Sequence, residues 1–107
     1  MVQETNEMNF QRDTGKGKVL VEISNPGCVP CEQMKKNILP VAEGSVDGIF
    51  ILDASENIEM VIELQDRVGS IMAVPVLLLF EEGEFMARHD GMMTGDDLLE
   101  FVSDEGE

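Results

Sequence analysis

Two short stretches of this chain are apolar almost without interruption, Val19-Leu20-Val21 with Ile23, and Val76-Leu77-Leu78-Leu79-Phe80. A half-exposed strand alternates apolar with polar residues, so runs without alternation predict strands covered on both faces. Lys18–Ser24 and Val76–Phe80 are therefore expected as central strands of a sheet, and the fold must supply helices above and below it.

The remaining elements follow from spacing and turn chemistry. Thr5 is placed to cap a short helix through about Asp13, broken by Gly15 and Gly17, and the residues before it are expected to fray. Asn25-Pro26-Gly27 predicts a sharp turn after the first strand. Cys28 to about Ala42 reads as a helix with Met34, Ile38, Leu39 and Val41 on its apolar face, kinked or ended by Pro40. Ile49–Leu52 is a short buried strand, and Ser55 or Asn57 then caps a helix presenting Ile58, Val61, Ile62, Leu64 and Val68. Glu82-Gly83 turns the chain back into a strand over Phe85–His89. Thr94, with Asp97 three residues on, opens a last helix burying Leu98, Leu99, Phe101 and Val102. The expected architecture is α/β, a central mixed sheet with helices on both faces. It forms one domain over 1–107, with a frayed tail at about 103–107.

Composition restricts function. The chain of 107 residues carries 22 acidic and 7 basic side chains, a net charge of −15, and this field repels nucleic-acid backbones. No apolar run is long enough to span a membrane. The polar, acidic N-terminus does not resemble a secretory signal, so a cytoplasmic location is expected. A monomer is expected as well.

The only two cysteines, Cys28 and Cys31, are three positions apart. A disulfide closing so short a loop can hardly staple a fold, so the pair points to chemistry. In Pro26-Gly27-Cys28-Val29-Pro30-Cys31, placed between a buried strand and a helix, the first thiol meets the unpaired N–H groups of the helix start. That favours its thiolate, the nucleophilic form. The second thiol lies one turn deeper, where it can resolve a mixed disulfide, and Pro30 fits the first turn because its missing N–H has no partner there. Zinc is the competing chemistry, but it needs four ligands in a closed structural site, and His89 is the only imidazole. An inert pair is the other alternative. His89 itself reads as an exposed strand residue, Lys35 and Lys36 as solvated, and the eight methionines mainly as core filler, with Met72 and Met92 available to varied substrates.

From Lys18 to Val102 the chain resembles the thioredoxin family. The likeness is carried by Cys-x-Pro-Cys after Val19-Leu20-Val21-Glu22-Ile23, and by Val74-Pro75 before the apolar strand, then Glu82-Gly83-Glu84 and Gly91. It implies a thioredoxin-like three-layer fold and a thiol–disulfide oxidoreductase that reduces protein disulfides, with Cys28 attacking and Cys31 resolving. The only redox group it implies is this cysteine pair, with no cofactor and no metal. It implies disulfide-containing protein substrates and a thioredoxin-reductase-like flavoprotein as donor. It implies a cis Val74–Pro75 bond facing the sulfurs and a substrate surface formed by Gly27, Val29, Pro30, Val74, Pro75, Gly91 and Met92. It also implies a buried acid at Glu22 that relays a proton to or from Cys31, whereas the strand pattern alone leaves Glu22 free to face water.

The chain departs from the family pattern at several points. Gly27 stands where the family has Trp, Val29 replaces a Gly, Pro40 comes about a turn late, and no lysine stands among Ile49, Phe50 and Ile51. An acidic thioredoxin-like binding module with incidental thiols is the rival function, and a metal carrier the third.

Overall fold

The computed structural model describes residues 1–103. Five strands form one sheet in the order β1-β3-β2-β4-β5: β1 Val2–Thr5, β2 Lys18–Ser24, β3 Gly48–Asp53, β4 Val76–Glu81 and β5 Glu84–Asp90. The first three are mutually parallel where they pair, and β4 and β5 run antiparallel to their neighbours. The sheet is mixed, as expected.

β2 is central, and Val19 through Ile23 are all buried, which is why its sequence does not alternate. Odd positions Val19, Val21 and Ile23 pack with Phe50, Leu52, Val76, Leu78 and Phe80 under α1 (Phe10–Thr14) and α3 (Ile58–Val68). Leu20 faces the other way, into a second core with Ile49, Ile51, Leu77, Leu79, Met34, Leu39 and Leu98. There α2 (Val29–Gln33) and its continuation, together with α4 (Gly95–Ser103), cover the sheet. Helices thus lie on both faces.

Several expectations are corrected. The first residues do not fray, and Thr5 caps no helix. Val2–Thr5 is an edge strand registered against Ile49–Leu52, and α1 begins only at Phe10. Thr5 Oγ1 instead donates to Asp13 Oδ2 at 2.7 Å, tying the strand to that helix. The stretch expected as one helix from Cys28 to Ala42 is three. α2 widens into a π-helical turn at Met34–Ile38 and then tightens into a 3₁₀ turn at Leu39–Ala42. Pro40 explains the change, because its ring crowds the carbonyl four residues back and it has no N–H to offer. The Leu39 N–H reaches back to Met34 O, five residues away.

Val41 is exposed, and in α3 only Leu64 and Val68 are fully buried, with Val61 partly so, while Ile58 and Ile62 face out. Neither Ser55 nor Asn57 acts as side-chain cap of α3; Asp53 Oδ1 accepts the Ser55 N–H of the preceding 3₁₀ turn, Ala54–Glu56. In α4, Leu98 and Val102 are buried and Leu99 and Phe101 half-buried. Thr94 Oγ1 accepts the Asp97 N–H at 3.1 Å, the expected cap. Ser103 ends α4 as a helical residue, and the rest of the expected frayed tail, 104–107, lies outside the described residues.

Candidate active site

Register places three loops at one end of the sheet. Ile23 of β2 pairs with Val76 of β4, and Val76 pairs with Asp90 of β5. The turn after Ser24, the Val74-Pro75 segment before Val76 and Gly91 after Asp90 therefore emerge side by side. The Val74–Pro75 bond is cis, as the resemblance implied. Pro75 is buried and Val74 half-buried, and the Gly91 N–H donates to Pro75 O at 2.8 Å, joining two of the three loops. Gly91 holds φ +87°, a left-handed conformation that suits glycine. Met92 beside it is exposed.

The third loop carries the cysteines. Cys28 N–H donates to Asn25 O at 3.3 Å and closes the turn. Cys28 is the N-cap of α2, in extended conformation, and its Sγ accepts the Cys31 N–H at 3.2 Å. Cys28 Sγ thus occupies the position where a capping oxygen normally satisfies the free N–H groups of a first turn. Pro30 lies in that turn, at one of the positions that make no intrahelical N–H bond. Cys28 and Cys31 are joined in a disulfide with Cα atoms 5.3 Å apart. The pair is asymmetric: Cys28 is half-buried, whereas Cys31 is 1% exposed. Gly27 and Val29, on either side of Cys28, are exposed, and nothing approaches within 4 Å of where a Gly27 side chain would begin.

Glu22 resolves the ambiguity left by its strand. It is fully buried, on the face of β2 that packs against the cysteine helix, and neither carboxylate oxygen has a hydrogen-bond partner among the described residues. An unpaired buried carboxylate is costly, so the group retains its proton. Burial, helped by the nearby charge of Glu32 and opposed by that of Lys35, pushes its pKa from 4.5 up to about 8. Its register partner Ile51 lines a cleft of about 380 Å³ that also reaches Cys31, Glu32, Lys35 and Asp53. Buried thiol and Lys35 therefore share one cleft, which Glu22 itself does not line although its register partner does. The lysine comes from the helix and not from β3, where the family places it.

A second cleft, about 360 Å³, opens beside Cys28 and is lined by Gly27, Val29, Glu32 and Lys36 among others. The sequence pattern presents Lys36 as solvated and does not single out Glu32. Their spacing from Cys28, four and eight residues on, is the signal that puts them on its side of the helix. His89 is partly buried, with Nε2 3.2 Å from Met92 O and its ring edge-on to Phe101, and takes no part in the cysteine site. Among the described residues no group of three or more His, Cys, Asp or Glu side chains is arranged to hold a metal, and no helix is long and apolar enough to cross a membrane.

Known proteins share this arrangement. The thioredoxin family model matches residues 1–104. The thioredoxin of Bacillus subtilis (strain 168) is 30% identical over 105 residues, covering 91% of this chain and 90% of that protein. The thioredoxin of Chlamydia trachomatis serovar D is 26% identical over 106 residues, covering 96% and 97%. Among solved structures, the short form of spinach chloroplast thioredoxin f superposes with a TM-score of 0.75 at 26% identity, covering 96% of this chain and 91% of that one. A mutant thioredoxin from Halobacterium salinarum NRC-1 shares the fold with a TM-score of 0.77 at 22% identity, covering 99% and 90%. Members of the family reduce disulfides and are themselves reduced by thioredoxin reductase. With a disulfide of its own between Cys28 and Cys31 at the start of α2, this chain belongs to the thioredoxin family and is a thiol–disulfide oxidoreductase of the protein-disulfide-reducing kind.

Proposed function

We propose that Cys28 is the attacking thiol, Cys31 the resolving thiol and Glu22 the proton relay of a cytoplasmic, monomeric disulfide reductant, the whole chain acting as one domain. The asymmetry of the cysteine pair carries this reading. Cys28 Sγ takes the N–H that a thiolate needs, and Cys31 is shut away from any large substrate. The Cys28 thiolate attacks a sulfur of the target disulfide, the Cys28–S bond forms, and one target thiol leaves. Cys31 then loses its proton and attacks Cys28 Sγ, releasing the second thiol and closing the Cys28–Cys31 disulfide.

The proton must go to a base that is neither fully ionised nor fully protonated near neutral pH. Glu22, with its pKa raised to about 8, meets that condition, and its register partner Ile51 lines the cleft that reaches Cys31. In this scheme Gly27, Val29 and Pro30 on the cysteine loop, and Val74, Pro75, Gly91 and Met92 on the facing loops, receive the substrate chain, whose backbone lies along the loop as an added strand. A thioredoxin-reductase-like flavoprotein returns two electrons to the pair.

The test is alkylation of the reduced protein at pH 7 followed by peptide mapping. Cys28 is expected to be labelled first, Cys31→Ser to accumulate a mixed disulfide with insulin by opening one of its intact disulfides, and Cys28→Ser to accumulate none. Faster labelling of Cys31 overturns the assignment.

A further inference from the structure

The cleft beside Cys28 is bordered by Gly27, which puts no side chain into it. Gly27 holds φ +79°, with open space where a side chain would project. The cleft runs from Gly27 and Cys28 past Val29 to Glu32, Gln33, Lys36 and Asn37, with a volume of about 360 Å³, within the range of small-ligand sites. One carboxylate and one ammonium line it, four residues apart on the same side of the helix, yet they form no ion pair with each other among the described residues. Val29, 67% exposed, supplies an apolar wall next to the sulfur.

We infer that this cleft is a subsite for small zwitterionic disulfides of the amino-acid type, with cystine as the simplest member. The inference rests on the reductase reading and extends it from protein disulfides to this substrate class. Lys36 meets the ligand carboxylate, Glu32 its ammonium, and the ligand sulfur lies over Cys28. A molecule without net charge also escapes the field of a chain at −15, which repels an anionic disulfide before it arrives. The Cys28 thiolate attacks one ligand sulfur, the ligand S–S bond breaks, and one amino-acid thiolate leaves and takes up a proton. Cys31, giving up its own proton, then attacks Cys28 Sγ and releases the second amino-acid thiol. Two electrons pass from the dithiol to the ligand, and one disulfide replaces another.

The experiment uses protein reduced beforehand with dithiothreitol and desalted, and follows oxidation of its thiols in a single turnover. Cystine, the dication cystamine and the uncharged bis(2-hydroxyethyl) disulfide are compared in wild type, Glu32→Gln and Lys36→Gln, each rate taken relative to the uncharged disulfide so that altered thiol reactivity cancels. An exposed charge contact is worth a factor of about two to five. The relative rate for cystine is expected to fall by about that factor in both variants, while cystamine speeds up in Lys36→Gln and slows in Glu32→Gln. A bulk field acts on net charge and leaves cystine unchanged; an unchanged cystine ratio in either variant overturns the subsite. Insulin reduction by the wild type is the separate control. If insulin and the uncharged disulfide are both left intact, the reductase reading falls and the subsite with it; if both are reduced without the cystine effect, the subsite alone falls.

Discussion

Replacing Glu22 by glutamine should change the stability of the fold in the variant's favour by an amount that grows with pH. Glu22 has an ordinary pKa of 4.5 and a folded pKa of about 8, raised first by burial and then by Glu32, with Lys35 pulling the other way. Because the folded value is the higher one, folding takes up a proton at any pH between the two. The stability cost is absent below about pH 4.5, rises through neutrality, and levels off only above pH 8. At about 1.36 kcal/mol per pKa unit, it amounts to roughly 3 kcal/mol at pH 7 and roughly 4 kcal/mol at pH 8. That is a large part of the stability of a domain this size, about 5–15 kcal/mol.

Glutamine keeps the volume and cannot ionise, so it removes the pH-dependent part. Its buried amide also lacks partners, which adds a constant cost of about 1–3 kcal/mol at every pH. The difference between the two proteins is therefore read from the pH slope and not from any single value. Urea unfolding of the oxidised forms at pH 5, 6, 7 and 8 measures it. Wild type is expected to lose about 3 kcal/mol relative to Glu22→Gln between pH 5 and pH 8. Every other titrating group is common to both proteins and cancels in the comparison. Parallel stability curves would mean that Glu22 ionises normally in the folded state, and the reasoning from its burial would fail.

How far the sequence reveals this molecule depends on what each element needs in order to form. β2 and β4 were legible because a strand covered on both faces cannot hide its composition. Glu22 was not, because one carboxylate in such a run is consistent either with an outward-facing side or with a costly burial, and local pattern does not choose between them. β1 escaped because an edge strand with one buried position, Thr5, carries almost no periodicity; it forms through its backbone pairing with β3. Pro40 announced a break but not its form, since crowding four residues back is relieved either by ending the helix or by widening it into a π turn. The apolar spacing of α3 overstated burial: the helix touches the sheet along Leu64 and Val68, and nothing in the described fold covers Ile58 and Ile62. The cysteine pair was legible because its chemistry needs only local geometry, a turn and a helix start. The cleft beside it was not, because it is lined by Gly27, which offers no side chain to read, and by charges one and two turns further along the helix.

Three further predictions concern neighbouring groups. Lys35→Met removes the one cation that lowers the Glu22 pKa, so a carboxyl-carbon NMR titration should place Glu22 higher than in wild type; an unchanged midpoint would mean that the Lys35 charge does not reach Glu22. Thr94→Ala deletes the hydroxyl that accepts the Asp97 N–H, and urea unfolding should show a loss of about 1 kcal/mol. Gly91→Ala tests whether the loop beyond β5 is held for function. No atom lies within 4 Å of where the added carbon would go, so packing offers no penalty. The backbone does, because φ is +87° there, and an L side chain in the left-handed region costs about 1–2 kcal/mol. The protein can avoid that cost only by relaxing φ, which pulls the Gly91 N–H away from Pro75 O and loosens the loop facing the cysteines. Either response is measurable: a retained conformation lowers stability by about 1–2 kcal/mol with insulin turnover unchanged, whereas relaxation spares stability and raises the KM for insulin. Wild-type stability together with a wild-type KM would show that neither the conformation nor the hydrogen bond matters, and would remove Gly91 from the substrate surface.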